Sequence, residues 1–272
     1  MKNLINWKLF FILFAACTIG SVLVLPYSMD LTSTDLEAAS IESGIPVVLM
    51  LIISIVQSTI MFAIVTFLGL LLSKKIGLEN GGFRLPILEG ILNRENKSKE
   101  FKSLLLPSIC LGVLAGGLIL VINIPFNNAI PEFKNMEKIV PAWKGFLASF
   151  YGGIAEEVLL RLFFMSLLVW ISTKIKKISN VGSAAGSPVA VGVWIAIILA
   201  AVVFGLGHLP ATAAIVELNA VVVARAIILN SIVGIICGWL FWKKGLEAAM
   251  ISHFSADIVL HVITPLVMSL FV

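Results

Sequence analysis

The stretch VAVGVWIAIILAAVVFGLGH, residues 189–208, decides the class of fold. It contains no Asp, Glu, Lys or Arg. As an α-helix rising about 1.5 Å per residue, it is long enough to cross a hydrocarbon core of roughly 30 Å. A run of this length and composition predicts a transmembrane helix.

Similar apolar runs recur along all 272 residues, of which 60% are hydrophobic and 12% charged. A soluble domain carries about 25% charged residues. We therefore expect an all-α, polytopic transmembrane helix bundle of about seven spans, with residues 1–272 forming a single integral membrane domain. The predicted spans are 9–25, 46–72, 103–123, 143–173, 189–208, 215–242 and 245–271.

Two regions leave alternatives open. Residues 215–242 are long for one span, so they form either a tilted helix or a short surface helix followed by a span. This run contains Glu217, Arg225 and Asn230. An eighth span would reverse the last helix and move Lys243 and Lys244 to the other side. The charged loop 73–102 is expected to hold a partly amphipathic helix.

The Lys and Arg residues are distributed unevenly if the seven spans simply alternate. Of the 19, two lie inside apolar runs, 14 fall on one side, and only Lys134, Lys138 and Lys144 fall on the other. The 14 are Lys2, Lys8, Lys74, Lys75, Arg84, Arg94, Lys97, Lys99, Lys102, Lys174, Lys176, Lys177, Lys243 and Lys244. By the positive-inside rule this predicts a multi-pass protein of the cell membrane with a cytoplasmic N-terminus. The expected partner is the lipid bilayer and not nucleic acid.

Ionisable groups at bilayer depth cost roughly 2.5–3.5 kcal/mol each on insertion scales, so each one needs a reason. The candidates are Glu156, Glu157, Arg161, His208, His253, Asp257 and His261.

The first two candidates, Glu156 and Glu157, are adjacent acids. Glu157 and Arg161 are spaced i,i+4, so they share a helix face and can pair. Glu156 lies about 100° round the helix, so either its partner comes from another helix or it stays unpaired. A carboxylate left unpaired there suits a general base, whereas the alternative is a packing ion pair with a spare Glu. Gly152 and Gly153 would allow another helix to approach closely just before the site.

The histidines stand on other spans. His208 precedes Pro210, which cannot continue a regular helix, so His208 is expected on a terminal or broken turn. His253 and Asp257 are i,i+4 on one face, and His261 continues that stripe. Imidazole and carboxylate also bind zinc. Spacing alone does not choose between a hydrolytic site, a metal site and a proton path.

Three short motifs thus stand in order on separate apolar spans. They are Glu156-Glu157-x-x-x-Arg161, Phe204-x-x-x-His208 and His253-x-x-x-Asp257. Together they resemble the three signature motifs of the type II CAAX prenyl endopeptidase family. This is the Ras-converting-enzyme-like group, which also includes the bacterial CAAX protease and bacteriocin-processing (Abi) intramembrane proteases. The resemblance covers roughly residues 143–262, the catalytic motif region.

The resemblance implies a glutamate-dependent intramembrane endopeptidase. It would hydrolyse a peptide bond of a membrane-associated peptide or protein, of which a prenylated CAAX-type protein is one kind. By that analogy Glu156 activates the attacking water, aided by His208. Glu157 with Arg161 would hold the local geometry.

By the same analogy, His253 and Asp257 would stabilise the oxyanion. Prenyl-CAAX enzymes typically carry Asn where this chain has Asp257, and an ionised Asp donates no hydrogen bond. Asp257 is therefore protonated, orients His253 or binds a metal. Asp at this place resembles the prokaryotic branch. It also leaves zinc open as a cofactor, with Glu156, His208, His253 and Asp257 as ligands, although we favour the metal-free mechanism.

Three other functions stay open. A zinc-dependent intramembrane metalloprotease would use the same residues as ligands. A proton-coupled transporter would use them as a relay, but the polar groups cluster late in the chain and no inverted repeat is visible. A non-catalytic membrane scaffold would not need the intact set of acids and histidines.

The depth of the site is ambiguous. Counting about 1.5 Å per residue from Lys174 places Glu156 about 25–27 Å from the inner surface. Counting from Lys244 places His253 only about 13 Å from it. Either helix ends extend past the bilayer, or a span is broken, or the last helix runs the other way.

Overall fold

The computed structural model describes residues 5–76, 83–130, 140–178 and 187–271. These ranges are almost entirely helical and contain no strand. The all-α prediction is therefore confirmed. Lys134 and Lys138, two of the three basic residues assigned to the outer side, lie outside the described residues, as does the segment 77–82 of the loop 73–102.

Regular α-helices alternate with short π-helical segments. The α-helices are α1 (Trp7–Leu23), α2 (Leu25–Ser43), α3 (Val47–Ile76), α4 (Pro86–Leu92), α5 (Ser98–Ala129), α6 (Ala142–Phe150), α7 (Ser166–Ile178), α8 (Ser187–Gly207), α9 (Leu209–Ala213), α10 (Ala220–Lys244), α11 (Leu246–Asp257) and α12 (Thr264–Met268). The π segments are π1 (Tyr151–Glu156), π2 (Val158–Met165) and π3 (Ile258–Ile263).

Six described helical stretches are long and apolar enough to cross a membrane. They are Trp7–Thr32, Val47–Ile76, Ser98–Ala129, Ala190–Ala213, Ala220–Lys244 and Leu246–Met268. The predicted span 143–173 is not among them: the run from Ala142 to Ile178 is helical throughout, but it carries Lys144, Glu156, Glu157 and Arg161. The protein is a polytopic membrane protein, and the counts of seven or eight spans stay predictions.

The run 215–242 is not a single helix. The short helix α9 follows His208, and α10 begins only at Ala220. There the side-chain oxygen of Asn219 accepts hydrogen bonds from the backbone N–H groups of Val221 (2.9 Å) and Val222 (3.0 Å). This N-cap satisfies amides that would otherwise lack partners. The predicted start at residue 215 is therefore wrong by five residues.

The two ends of the bundle differ in charge. At one end, Lys75 on α3 and Lys174 on α7 both lie over the ring of Trp170, 6.0 and 5.6 Å from its centroid. The helical run that carries Lys174 starts at the opposite end, where Lys144 pairs with Asp30 at 2.6 Å. We call the end that carries Lys75 and Lys174 the basic end.

The charged loop crosses the basic end as a cap, residues 83–92, which includes α4. Its Phe83 ring packs on Phe241 of α10, with centroids 4.8 Å apart. A carboxylate oxygen of Glu247, on α11, accepts hydrogen bonds from the backbone N–H groups of Ile87 (3.0 Å) and Leu88 (2.9 Å). The expected short helix is thus present, and its first amides receive partners from a distant part of the chain.

The cap covers the start of α11. Leu246, the first residue of α11, is fully buried beneath it, and its backbone N–H donates to the carbonyl of Arg84 at 2.9 Å. The turn between α10 and α11 therefore lies below the surface of the basic end.

Candidate active site

The two adjacent acids lie where the helical run from Ala142 to Ile178 winds into π turns. Glu156 is the last residue of π1, and Val158 the first of π2, with Glu157 between them. Such π turns are rare and are found frequently at functional sites. The spacing of apolar residues along this run does not predict them.

Glu157 and Arg161 form the expected ion pair at the centre of the bundle. Oε1 of Glu157 lies 3.0 Å from Nη1 of Arg161, and both side chains are completely buried. The guanidinium also donates through Nη2 to the backbone carbonyl of Gly234 at 3.1 Å and lies 5.3 Å from the centroid of the Phe204 ring. A buried pair held on several sides is costly to break, because either partner alone is an uncompensated charge.

The same carboxylate holds His253. Nδ1 of His253 lies 2.7 Å from Oε1 of Glu157, which joins α11 to the helical run of the two acids. An ionised carboxylate can only accept, so Nδ1 carries the proton. The other ring nitrogen, Nε2, lies 3.6 Å from Glu156 and 3.7 Å from Asp257, just beyond hydrogen-bonding distance. Nε2 therefore faces two carboxyl groups without being bonded to either.

The two neighbouring glutamates differ in their exposure to solvent. The side chain of Glu156 is 21% exposed, whereas that of Glu157 is 0% exposed. Asp257 is intermediate at 13%. A water molecule or a substrate can approach Glu156 and Asp257 more readily than Glu157.

His208 stands on the turn between α8 and α9, as its position before Pro210 predicts. Nδ1 of His208 lies 2.9 Å from the carbonyl oxygen of Phe204, which can only accept, so this nitrogen carries the proton too. The ring of Phe204 lies edge-on between the two imidazoles, with centroids 4.8 Å from His208 and 5.4 Å from His253. No hydrogen bond joins His208 to Glu156 in the described part of the chain.

Gly152 makes room for the site. A Cβ atom at this position would collide with the Asp257 carboxylate and lie 3.3 Å from Nε2 of His253. Gly153 faces α11 as well, where a Cβ atom would lie 2.9 Å from that of Phe254. The two glycines let α11 approach, as the sequence predicts, but the contact with Asp257 was not foreseen.

His261 lies one turn beyond Asp257 and has a partner that the sequence does not suggest. Nδ1 of His261 lies 3.0 Å from the hydroxyl of Tyr27, on α2, and the two rings are in edge contact. Residues 26–43 were not predicted as a helix, because their polar residues do not form a span. Nothing in the spacing of Tyr27 signals this contact.

The potential metal ligands that lie close together in the structure are not the four that the sequence predicts. The sequence predicts Glu156, His208, His253 and Asp257 as ligands. Among the described residues, the group of three potential ligands whose donor atoms lie within 4.8 Å of one another is Glu157, Cys237 and His253. That group is a poor match for a divalent cation, because Glu157 and Nδ1 of His253 already bond each other and the positive charge of Arg161 stands 3.0 Å from the carboxylate.

The comparison with known families agrees with the three motifs. Residues 138–259 match the family model described as "Type II CAAX prenyl endopeptidase Rce1-like". The match covers a little under half of the chain and includes every residue of the three motifs. No curated protein and no solved structure matches the chain. Over residues 138–259 the chain is therefore similar to the Rce1-like type II CAAX prenyl endopeptidase family, which is a family of proteases.

Proposed function

We propose that the chain is an intramembrane endopeptidase that hydrolyses a peptide bond of a membrane-associated peptide or protein, within one membrane domain of residues 1–272. The family match supports protease chemistry. The observation that carries the proposal is the position of His253, whose Nδ1 is fixed by Glu157 while Nε2 faces Glu156 and Asp257. A scaffold needs no imidazole nitrogen left open between two carboxyl groups, and the family match favours a protease over a proton relay.

In this mechanism Glu156 is the general base. Its carboxylate takes a proton from a water molecule, and the resulting hydroxide attacks the carbonyl carbon of the scissile peptide bond. The same proton is then delivered to the leaving amine as the C–N bond breaks. Glu156 is suited to this role because its side chain is partly exposed and is not engaged by Arg161, whereas Glu157 is buried and paired. General acid–base catalysis contributes about 10²–10⁴-fold.

His253 stabilises the oxyanion that forms in this step, and Asp257 contributes when its carboxyl group is protonated and can donate a hydrogen bond. The site contains three carboxyl groups and one arginine, so protonation of His253 reduces the excess of negative charge. Protonated Nε2 becomes a donor aimed into the space between Glu156 and Asp257. Its direction is set by the buried bond to Glu157, so it needs little reorganisation during the reaction.

His208, which contacts the Phe204 ring as His253 does, assists the general base. Because Nδ1 of His208 is held by the Phe204 carbonyl, the neutral imidazole presents the lone pair of Nε2. That nitrogen can accept a hydrogen bond from the attacking water and orient it toward the substrate. In this proposal the attacking water, rather than a direct bond, joins His208 to Glu156.

The test is cleavage of a fluorogenic prenylated CAAX peptide by the purified full chain reconstituted in lipid vesicles. Glu156→Gln should reduce the rate by at least about 100-fold, the lower end of the contribution expected of a general base. The matched control is Glu217→Gln, which removes an exposed acid outside the three motifs. Full activity in Glu156→Gln would exclude this mechanism. The same peptide without its prenyl group shows whether the lipid is part of what is recognised.

A further inference from the structure

A cavity of about 420 Å³ opens at the basic end, where it is lined by Trp170, nine residues beyond the last residue of the first motif. Its lining residues are Lys75, Trp170, Thr173 and Lys174. The volume lies in the range of pockets that hold small ligands. The proposed protease chemistry makes no use of this cavity.

Two cations from different helices converge on it. Lys174 follows Trp170 by four residues on α7, so their contact at 5.6 Å is an ordinary neighbour contact on one helix. Lys75 comes from the last turn of α3 and meets the same ring at 6.0 Å. In the described ranges no carboxylate pairs with either ammonium group. Two positive charges thus share one cavity without an anionic partner from the described residues.

General rules for lysines in membrane proteins do not account for this arrangement. Lysines at the last turn of a helix complement the helix dipole, and lysines on the cytoplasmic side follow the positive-inside rule. Lys75 and Lys174 are themselves exposed, so their positions agree with both rules. Neither rule requires two ammonium groups to meet over one aromatic ring beside a cavity.

We propose that this cavity binds a phosphate group through Lys75 and Lys174. Two sources share that chemistry, the headgroup of an acidic phospholipid and free inorganic phosphate. The surroundings match a lipid headgroup, because tryptophan side chains concentrate at the level of the headgroups and basic pockets between transmembrane helices on the cytoplasmic side bind anionic headgroups. In such a complex the phosphate supplies the negative charge that no carboxylate of the described residues supplies to the two lysines.

The experiment compares lipid retention by native mass spectrometry. The full chain is purified from mixed micelles that contain equal amounts of phosphatidylglycerol and phosphatidylcholine, and bound lipids are counted. Wild type should retain phosphatidylglycerol in preference. K75Q/K174Q should lower the apparent affinity for phosphatidylglycerol by about tenfold or more, since each lysine near an anionic headgroup contributes measurably. K75R/K174R keeps both charges and should retain the lipid, which separates loss of charge from loss of fold.

The control is Lys243→Gln. Lys243 lies at the same end and over another tryptophan, 3.5 Å from the ring centroid of Trp242, but it does not line the cavity. Lipid retention should not change in this variant. Equal retention by wild type and K75Q/K174Q would overturn the proposal, and so would an equal loss in Lys243→Gln, because binding would then reflect the general charge of this end.

A second arm identifies the source of the phosphate. Wild-type protein in phosphatidylcholine micelles is titrated with inorganic phosphate, and tryptophan fluorescence is recorded beside that of Trp170→Phe. A response that depends on Trp170 identifies free phosphate as a ligand. Retention of phosphatidylglycerol without that response identifies the lipid headgroup. Absence of both contradicts the proposal.

Discussion

Nδ1 of His253 lies 2.7 Å from Oε1 of Glu157, a contact between residues 96 positions apart in the chain. This bond joins the first and third motifs and gives Glu157 two partners, since Arg161 already pairs with the same oxygen. It also leaves Glu156, the adjacent residue, as the acid that faces the open nitrogen of the imidazole. Two chemically identical neighbours thus stand in different environments.

That difference predicts opposite effects for the two glutamates. Glu157→Ala should destabilise the fold by about 3–5 kcal/mol, because Arg161 then becomes an uncompensated buried charge. Glu156→Ala removes a partly exposed carboxylate and should leave stability nearly unchanged while it abolishes cleavage. Unfolding in detergent, followed by circular dichroism against temperature, measures the first effect. Equal loss of stability in both variants would contradict this division, as would a stable Arg161→Ala.

Gly152→Ala should inactivate the protein through Asp257. The added methyl group would collide with the Asp257 carboxylate and crowd Nε2 of His253, so one of the two side chains must move. Gly207→Ala is the matched control, because it stands beside His208 but a Cβ atom there meets nothing within 4 Å. We expect a loss of activity of at least about tenfold for the first variant and less than about twofold for the second. These ratios would correspond to roughly 1.4 kcal/mol and less than 0.5 kcal/mol in the barrier.

The substitution Asp257→Asn separates the glutamate mechanism from a zinc mechanism. If Glu156 activates the water, an amide at this position can donate to the developing oxyanion, an interaction worth roughly 2.7–4 kcal/mol in other hydrolases. Activity should then be retained or increased, and it should survive exhaustive chelation. If zinc is the catalyst, the substitution removes an anionic ligand, so activity and bound zinc should fall together. The measurements are the cleavage rate and the metal content of the same samples.

The orientation in the membrane stays a prediction that labelling can test. In a cysteine-free background, single cysteines at Asn96 and Glu42 would stand at the two ends of the bundle, both on exposed positions. A membrane-impermeant thiol reagent added to intact cells should label the cysteine at position 42 and not the one at 96, because the lysine-rich end is expected in the cytoplasm. The reverse pattern would invert the topology. Labelling after lysis is the control that both cysteines can react.

The stability of the α2 contact supplies a further test. Tyr27→Phe removes the hydroxyl that lies 3.0 Å from Nδ1 of His261 but keeps the ring contact. A lost hydrogen bond of this kind costs about 0.5–1.5 kcal/mol. Tyr27→Leu removes the ring as well and should cost more. Thermal unfolding of the two variants beside wild type measures the difference, and no change in either would mean that the contact does not hold α2 in place.

The sequence by itself determined what depends on local geometry. Apolar length and low charge predicted an all-α membrane bundle, the i,i+4 spacing predicted the pair of Glu157 and Arg161, and Pro210 predicted the broken turn at His208. These features follow from the fixed rise and turn of the helix and from the restrictions of proline, which act within a few residues.

Only the tertiary structure decided which side chains meet across helices. It assigned His253 to Glu157 rather than to Asp257, placed Gly152 against Asp257, wound the chain into π turns at the acids, and set the 83–92 cap over the start of α11. Helical periodicity fixes which face a residue occupies, but not the rotation, depth or neighbour of that face. Those are set by close packing of side chains from distant parts of the chain, where one glycine or one recessed turn shifts the contact by several ångströms.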